Sequence, residues 1–193
     1  NWAGTNIVPS AITLVNSTYL ASLSGRLTLS GNFNTGTARA LSTFGDGDME
    51  LLGAISTGVS SLSKYGGGTL TMGGTRANTF AGLTTVNGGK LELSKAAGSG
   101  AVNAIANGGL TINSSGAVEY AASSANPDMM GGGAVIIYGA GYLDFNGATD
   151  SIGAVTVNAT GAAGDTTNIR NTAGLGGLSM GALSITPQSG CLT

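Results

Sequence analysis

Short segments that place a branched or aromatic residue at every second position, each with a Gly or Asn close by, recur along the chain. Examples are Arg26-Leu27-Thr28-Leu29-Ser30, Gly68-Thr69-Leu70-Thr71-Met72, Lys90-Leu91-Glu92-Leu93, Gly109-Leu110-Thr111-Ile112-Asn113, Ala117-Val118-Glu119-Tyr120, Tyr142-Leu143-Asp144-Phe145 and Ala154-Val155-Thr156-Val157-Asn158. A period of two is the pattern of a strand with one buried face. Residues two apart share that face, so Leu70 and Met72, or Leu91 and Leu93, are expected inside while Thr71 and Glu92 meet water.

The segments come in pairs around Gly- or Ser-rich corners, as in Thr84-Thr85-Val86-Asn87-Gly88-Gly89-Lys90-Leu91-Glu92-Leu93 and again in Val135-Ile136-Ile137-Tyr138-Gly139-Ala140-Gly141-Tyr142-Leu143-Asp144-Phe145. The equivalent positions Leu70, Leu91, Val118 and Leu143 lie about twenty to twenty-seven residues apart, the spacing of solenoid turns. Hairpins are the rival reading, because Asn87-Gly88 and Asn107-Gly108 are favoured two-residue turns. A hairpin sheet needs a second layer, however, and no segment reads as a convincing amphipathic helix: 38–44 and 48–55 are short and interrupted or followed by Gly. A coiled parallel sheet covers its own faces and pairs every internal strand edge. The expected fold is therefore an all-β parallel β-helix (β-solenoid) with Gly- and Asn-rich turns. It forms one domain over 1–193, with the clearest repeats over 61–158 and less regular turns over 1–60 and 159–193.

Composition agrees. Glycine supplies 35 of 193 residues and charged side chains 8%, against roughly 7% and about 25% in ordinary domains. Low charge with 41% hydrophobic residues argues for a folded chain. A net charge of -2 without a basic cluster offers nothing to a phosphate backbone or an anionic membrane, so neither nucleic acid nor membrane insertion is expected. The longest apolar stretches, such as 134–138, are far too short for a spanning helix. The first residue is Asn1, which leads to the expectation of an exported, processed chain or a fragment.

The stretch Ser61-Leu62-Ser63-Lys64-Tyr65-Gly66-Gly67-Gly68-Thr69-Leu70-Thr71-Met72, continued by Asn78-Thr79-Phe80-Ala81-Gly82-Leu83-Thr84-Thr85-Val86-Asn87-Gly88-Gly89-Lys90-Leu91-Glu92-Leu93, resembles the autotransporter-associated β-strand repeat. The match departs at Met72, at Phe80 and by an extra residue near Thr75 and Arg76, and it loosens towards Asn158. The resemblance implies a right-handed parallel β-helix in a secreted or surface-anchored bacterial passenger, and it implies no catalytic residues.

Few residues offer chemistry. No histidine is present, which removes the commonest general base and transition-metal ligand. Ser-Lys chemistry is formally open at Ser61, Ser63 and Lys64 and at Ser94 and Lys95. The densest acidic run, Phe44-Gly45-Asp46-Gly47-Asp48-Met49-Glu50, makes Asp46, Asp48 and Glu50 weak calcium candidates, with a solvated loop as the plainer reading. Tyr120, Tyr138, Tyr142 and Phe145 form either a surface ladder or a core stack, and Tyr120 and Phe145 fall at inward positions. Asn16, Asn113 and Asn158 begin weak glycosylation acceptor patterns. Cys191 is an inert tail thiol or an intermolecular disulfide partner.

The expected function is that of a non-enzymatic extracellular structural protein without cofactors. It self-associates end to end into a surface fibre, filament or sheath, through terminal-turn residues Ile12, Leu14, Leu178, Leu183 and Ile185. An adhesive autotransporter passenger fragment and a polysaccharide-binding or polysaccharide-degrading β-helix are the alternatives. The partners would be other copies of the chain and cell-surface or matrix polysaccharide.

Overall fold

The computed structural model describes residues 4–97, 100–122, 126–159, 168–174 and 176–187, and among them there are strands but no helix. The chain is a parallel β-solenoid of eight stacked rungs. Each rung runs along a first sheet, crosses a short third face, returns along a second sheet and climbs to the next rung. The first sheet stacks Thr5–Val8, Arg26–Leu29, Asp48–Leu51, Thr69–Gly74, Gly89–Lys95, Gly116–Tyr120, Tyr142–Asp144 and Ile169–Arg170. The second stacks Thr18–Ala21, Arg39–Phe44, Val59–Lys64, Leu83–Val86, Leu110–Ile112, Val135–Tyr138, Val155–Ala159 and Leu183–Pro187. On the third face, among the described residues, Ile12–Thr13 pairs with Phe33–Asn34 and Asp150–Ile152 with Leu178–Met180 as strands, and single bridges join Phe33 to Ile55 and Ile105 to Met130.

Every strand pairing is parallel, so Asn87-Gly88 and Asn107-Gly108 turn corners and close no hairpin. Leu70, Leu91, Val118 and Leu143 are direct ladder partners, rung upon rung. The turns before residue 60, which match the repeat only in style, continue the same column through Met49 and Leu27.

Alternation fills the interior. Met49, Leu70, Leu91, Val118 and Leu143 form one buried column, and Leu51, Met72, Leu93, Tyr120 and Phe145 a second beside it. Leu41, Leu62, Leu110, Val135 and Val155 face them from the second sheet. Each fully buried side chain of this kind contributes about 1.5–3 kcal/mol, and because a rung shields only its neighbours, the stability accrues from stacking.

The abundance of glycine has a geometric cause at the corners. There the backbones of adjacent rungs touch: a Cβ on Gly53 would lie 2.1 Å from the Gly31 carbonyl oxygen, on Gly68 2.3 Å from that of Gly47, and on Gly108 2.0 Å from that of Gly82. These contacts belong to three different corners, so a column of small residues runs up each edge of the solenoid.

Where the third face lacks strands, asparagine side chains replace the ladder. Asn78 Oδ1 accepts from the Ile55 amide of the rung below at 2.9 Å, and Nδ2 donates to the Ala104 carbonyl of the rung above at 2.7 Å. Asn126 similarly accepts from the Val102 amide and donates to the Val102 carbonyl.

Candidate functional site

The outward face of the first sheet carries most of the molecule's organised charge. Its ladder puts Arg26 beside Asp48 and Thr69 beside Lys90 in one column, and runs Thr28, Glu50, Thr71, Glu92, Glu119 and Asp144 along the next. Glu50 is fixed by Arg26 at 2.9 Å and by the Thr28 hydroxyl at 2.7 Å. Further along, Lys90 lies 3.1 Å from Glu119 and 3.5 Å from Glu92, Tyr142 donates to Glu119 at 2.7 Å, and the Arg170 guanidinium sits 4.0 Å over the Tyr142 ring. Partial burial pulls the Lys90 amine down, but the hydrogen bonds and charges of Glu119 and Glu92 outweigh it and raise the pKa. Hydrogen bonding to Glu119, helped by burial, raises the Tyr142 phenol.

Between these two charged groups the fourth rung presents only Thr69, Thr71 and Gly73 outward. The result is an open trough of about 340 Å³, walled by Asp48, Glu50 and Leu52 on one side and Lys90, Glu92 and Ser94 on the other. Two rung spacings set its width at roughly 10 Å. Its carboxylates are held in place by neighbours while keeping spare lone pairs, which suits hydroxyl-bearing ligands.

The acidic run next to this face is built as a set of inter-rung ties. Asp46 Oδ1 accepts from the Gly67 amide at 2.8 Å and Asp48 Oδ1 from the Thr69 amide at 3.0 Å, each on the rung above, while Glu50 reaches Arg26 and Thr28 on the rung below. The three carboxylates thus point to different partners. Among the described residues no group of three or more acidic, Cys or His side chains converges as a metal site.

Tyr120 and Phe145 pack inside the solenoid with ring centroids 4.9 Å apart, whereas Tyr138 is exposed and Tyr142 belongs to the outer charged face. A surface aromatic ladder does exist, but on the earlier rungs. Phe44 and Tyr65 stack at 4.7 Å with their planes 6° apart, and Tyr19 tilts against Phe44 at 5.5 Å. Sequence reasoning missed it, although Phe44 ends one strand of the second sheet and Tyr65 directly follows the next, one turn on. At the same corner, higher up, Asn113 donates to Asn87 Oδ1 at 2.7 Å.

The two Ser-Lys pairs are split by the pleat. Ser63 lies on the outward side of its strand and Lys64 on the inward side, and the same holds for Ser94 and Lys95. The Lys64 ammonium donates to the Gly66 and Gly88 carbonyls at 3.0 Å, tying two corners together. Burial lowers its pKa, with Asp46 and Asp48 opposing. Lys95 is more isolated: among the described residues its amine reaches the Gly53 carbonyl at 3.4 Å, and burial pushes it down to about 8.

All five terminal-turn residues occupy the end rungs, but the two ends are unlike. Leu14 is buried in the core and Ile12 half-buried against it, while Leu178 is half-buried and Leu183 and Ile185 are 51% and 65% exposed. Leu183 and Ile185 continue the inward columns of Val155 and Val157. With Val157, Ala159 and Ile169 they line an apolar hollow of about 240 Å³. Cys191 lies outside the described residues.

No family model, curated protein or solved structure matches the chain.

Proposed function

We propose that this chain is a non-enzymatic structural protein of an extracellular bacterial surface, a rigid β-solenoid rod whose ends stack on further copies to extend a fibre, filament or sheath. The exposure of Leu183 and Ile185 carries this reading, because they stand in inward columns and no further rung covers them among the described residues. In ladder order, the next residues of those columns are Thr18 and Leu20, the first-rung partners of Leu41 and Thr43. Since all strands run parallel, a second copy placed head to tail continues the second sheet in register, and such a heterologous contact propagates without closing. Exposed Ile7, Val15 and Tyr19 on the first rung add apolar surface for the same contact. The resemblance of 61–93 to the autotransporter-associated repeat supports the extracellular setting. The split Ser-Lys pairs and the tied carboxylates support a structural role over catalysis.

Sedimentation velocity over a hundredfold concentration range tests this. The chain is expected to grow in size with concentration, and Ile185→Asp, which puts a charge into the apolar hollow, is expected to abolish growth without altering the melting temperature by more than a few degrees. A wild-type chain that remains a monomer throughout contradicts the proposal. The trough on the first sheet, with the exposed Phe44–Tyr65 stack on the earlier rungs, supports a second reading, adhesion to neutral polysaccharide. A permanently monomeric rod retained on such a polysaccharide is the outcome that would favour it.

A further inference from the structure

The trough across the first sheet has a charge balance that its own side chains do not close. Three carboxylates, Asp48, Glu50 and Glu92, line it against two cations, Arg26 and Lys90. Arg26 is already paired with Glu50 at 2.9 Å, and Lys90 is divided between Glu92 at 3.5 Å and Glu119, beyond the wall, at 3.1 Å. Asp48 has no ion-pair partner among the described residues, and its Oδ1 accepts from the Thr69 amide at 3.0 Å. The recess therefore keeps a negative surplus. Lys90 registers it: partial burial works to lower the amine, and the hydrogen bonds and charges of Glu119 and Glu92 raise it nonetheless.

The ladder sets where that surplus lies. Glu50, Thr71 and Glu92 are direct partners on three successive rungs, so two carboxylates face each other across one hydroxyl, each about one strand spacing, ~4.8 Å, to its side. An ammonium group has three donors and no acceptor. A carboxylate on each wall and the Thr71 hydroxyl on the floor supply one acceptor for each donor. To one side Asp48 faces Lys90 across Thr69, which offers sugar hydroxyls both acceptors and a donor. To the other side Leu52 lies over Gly73, where an added Cβ would meet its Cδ2 at 2.9 Å, and gives the C–H face of a sugar ring an apolar contact.

A basic peptide is the rival occupant. An extended peptide joins a sheet through an open strand edge. The three strands beneath the trough, Asp48–Leu51, Thr69–Gly74 and Gly89–Lys95, are each paired on both sides, so side chains alone are left to bind. A ligand made of hydroxyls and amines needs no backbone partner.

We propose that the trough binds a polysaccharide whose sugars carry free amino groups, with one ammonium seated over Thr71 between Glu50 and Glu92. This rests on the adhesion reading above and narrows its ligand from an uncharged sugar to an aminated one. The trough lies on the side of the rod, clear of Leu183 and Ile185 at its end, so a filament presents it once per copy. Weak contacts repeated along one glycan chain then add up to firm attachment.

Titration calorimetry in mild acid, with a glucosamine oligomer and with its N-acetylated counterpart of equal length, is the test, since acetylation removes the charge and keeps the ring hydroxyls. The aminated oligomer is expected to bind roughly tenfold more tightly at low salt, with the margin shrinking as salt rises. Glu92→Gln, which keeps the shape of the wall and removes one carboxylate, is expected to lose most of that preference while binding of the acetylated oligomer is unchanged. Equal affinities, tighter binding of the acetylated oligomer, or a preference untouched in Glu92→Gln would overturn the inference and leave adhesion standing. Binding of neither oligomer would remove the adhesion reading with it. The wild-type comparison decides the matter even if the variant folds poorly.

Discussion

Gly82→Ala is expected to destabilise the solenoid by about 3 kcal/mol or more, because its Cβ would make the shortest backbone contact of any described glycine. Gly82 turns the corner from the third face into the second sheet on the fourth rung. An added Cβ would lie 1.7 Å from the Ser60 carbonyl oxygen and 2.2 Å from its carbon, both backbone atoms of the rung below. No rotamer relieves such a contact. The rungs must separate locally, breaking hydrogen bonds on either side, so the cost sits at or beyond the upper end of ordinary overpacking, about 1–3 kcal/mol. The corner above offers no relief, since Gly108 is itself packed on the Gly82 carbonyl. Gly36→Ala and Gly132→Ala make the comparison sharp. A Cβ at either site meets nothing within 4 Å, so these variants are expected to be neutral or about 0.4–1 kcal/mol more stable, through the unfolded chain. Urea denaturation of the three variants separates contact between rungs from a general demand for glycine, and equal losses at all three sites would contradict the contact account.

Asn78→Ala is expected to cost about 3 kcal/mol for a different reason. The fourth rung has no paired strand on the third face, and the buried Asn78 amide bridges from Ile55 to Ala104 in its place. Truncation leaves one buried N–H and one buried C=O without partners, at about 1–3 kcal/mol each. Asn78→Asp keeps the acceptor for Ile55 but turns a carboxylate oxygen towards the Ala104 carbonyl. It is expected to destabilise too, and to recover partly in acid as the carboxyl gains a proton. A fully stable Asn78→Ala protein would show that the third face is held by packing alone. The same residue opens the Asn-Thr-Phe portion of the repeat-like stretch, so the motif reads as a device for crossing a face without a strand.

These two positions mark where the fold was legible and where it was not. Alternation and spacing were sufficient to align Leu70, Leu91, Val118 and Leu143, because one face of each strand is buried and a slip of one residue would expose it. The same rule places Lys64 with Leu62 and Lys95 with Leu93 on the inward side. The residue type concealed this, since a lysine is assumed to seek water unless its surroundings supply carbonyl partners, as the Gly66 and Gly88 corners do for Lys64. Segments 38–44 and 48–55, weighed as poor helices, hold strands of the second and first sheets. The third face gave little signal because side-chain amides and single bridges replace its ladder. The acidic run around Asp46 was conspicuous by composition, and its carboxylates hold neighbouring rungs together instead of converging.

Electron cryomicroscopy of the concentrated chain tests the central claim most directly. The account predicts filaments in which the roughly 4.8 Å strand spacing continues unbroken along the axis, with an axial repeat near eight such spacings, about 38 Å. Separate short rods at every concentration, or filaments built by side-to-side contact with the Leu183 and Ile185 ends exposed, would contradict it.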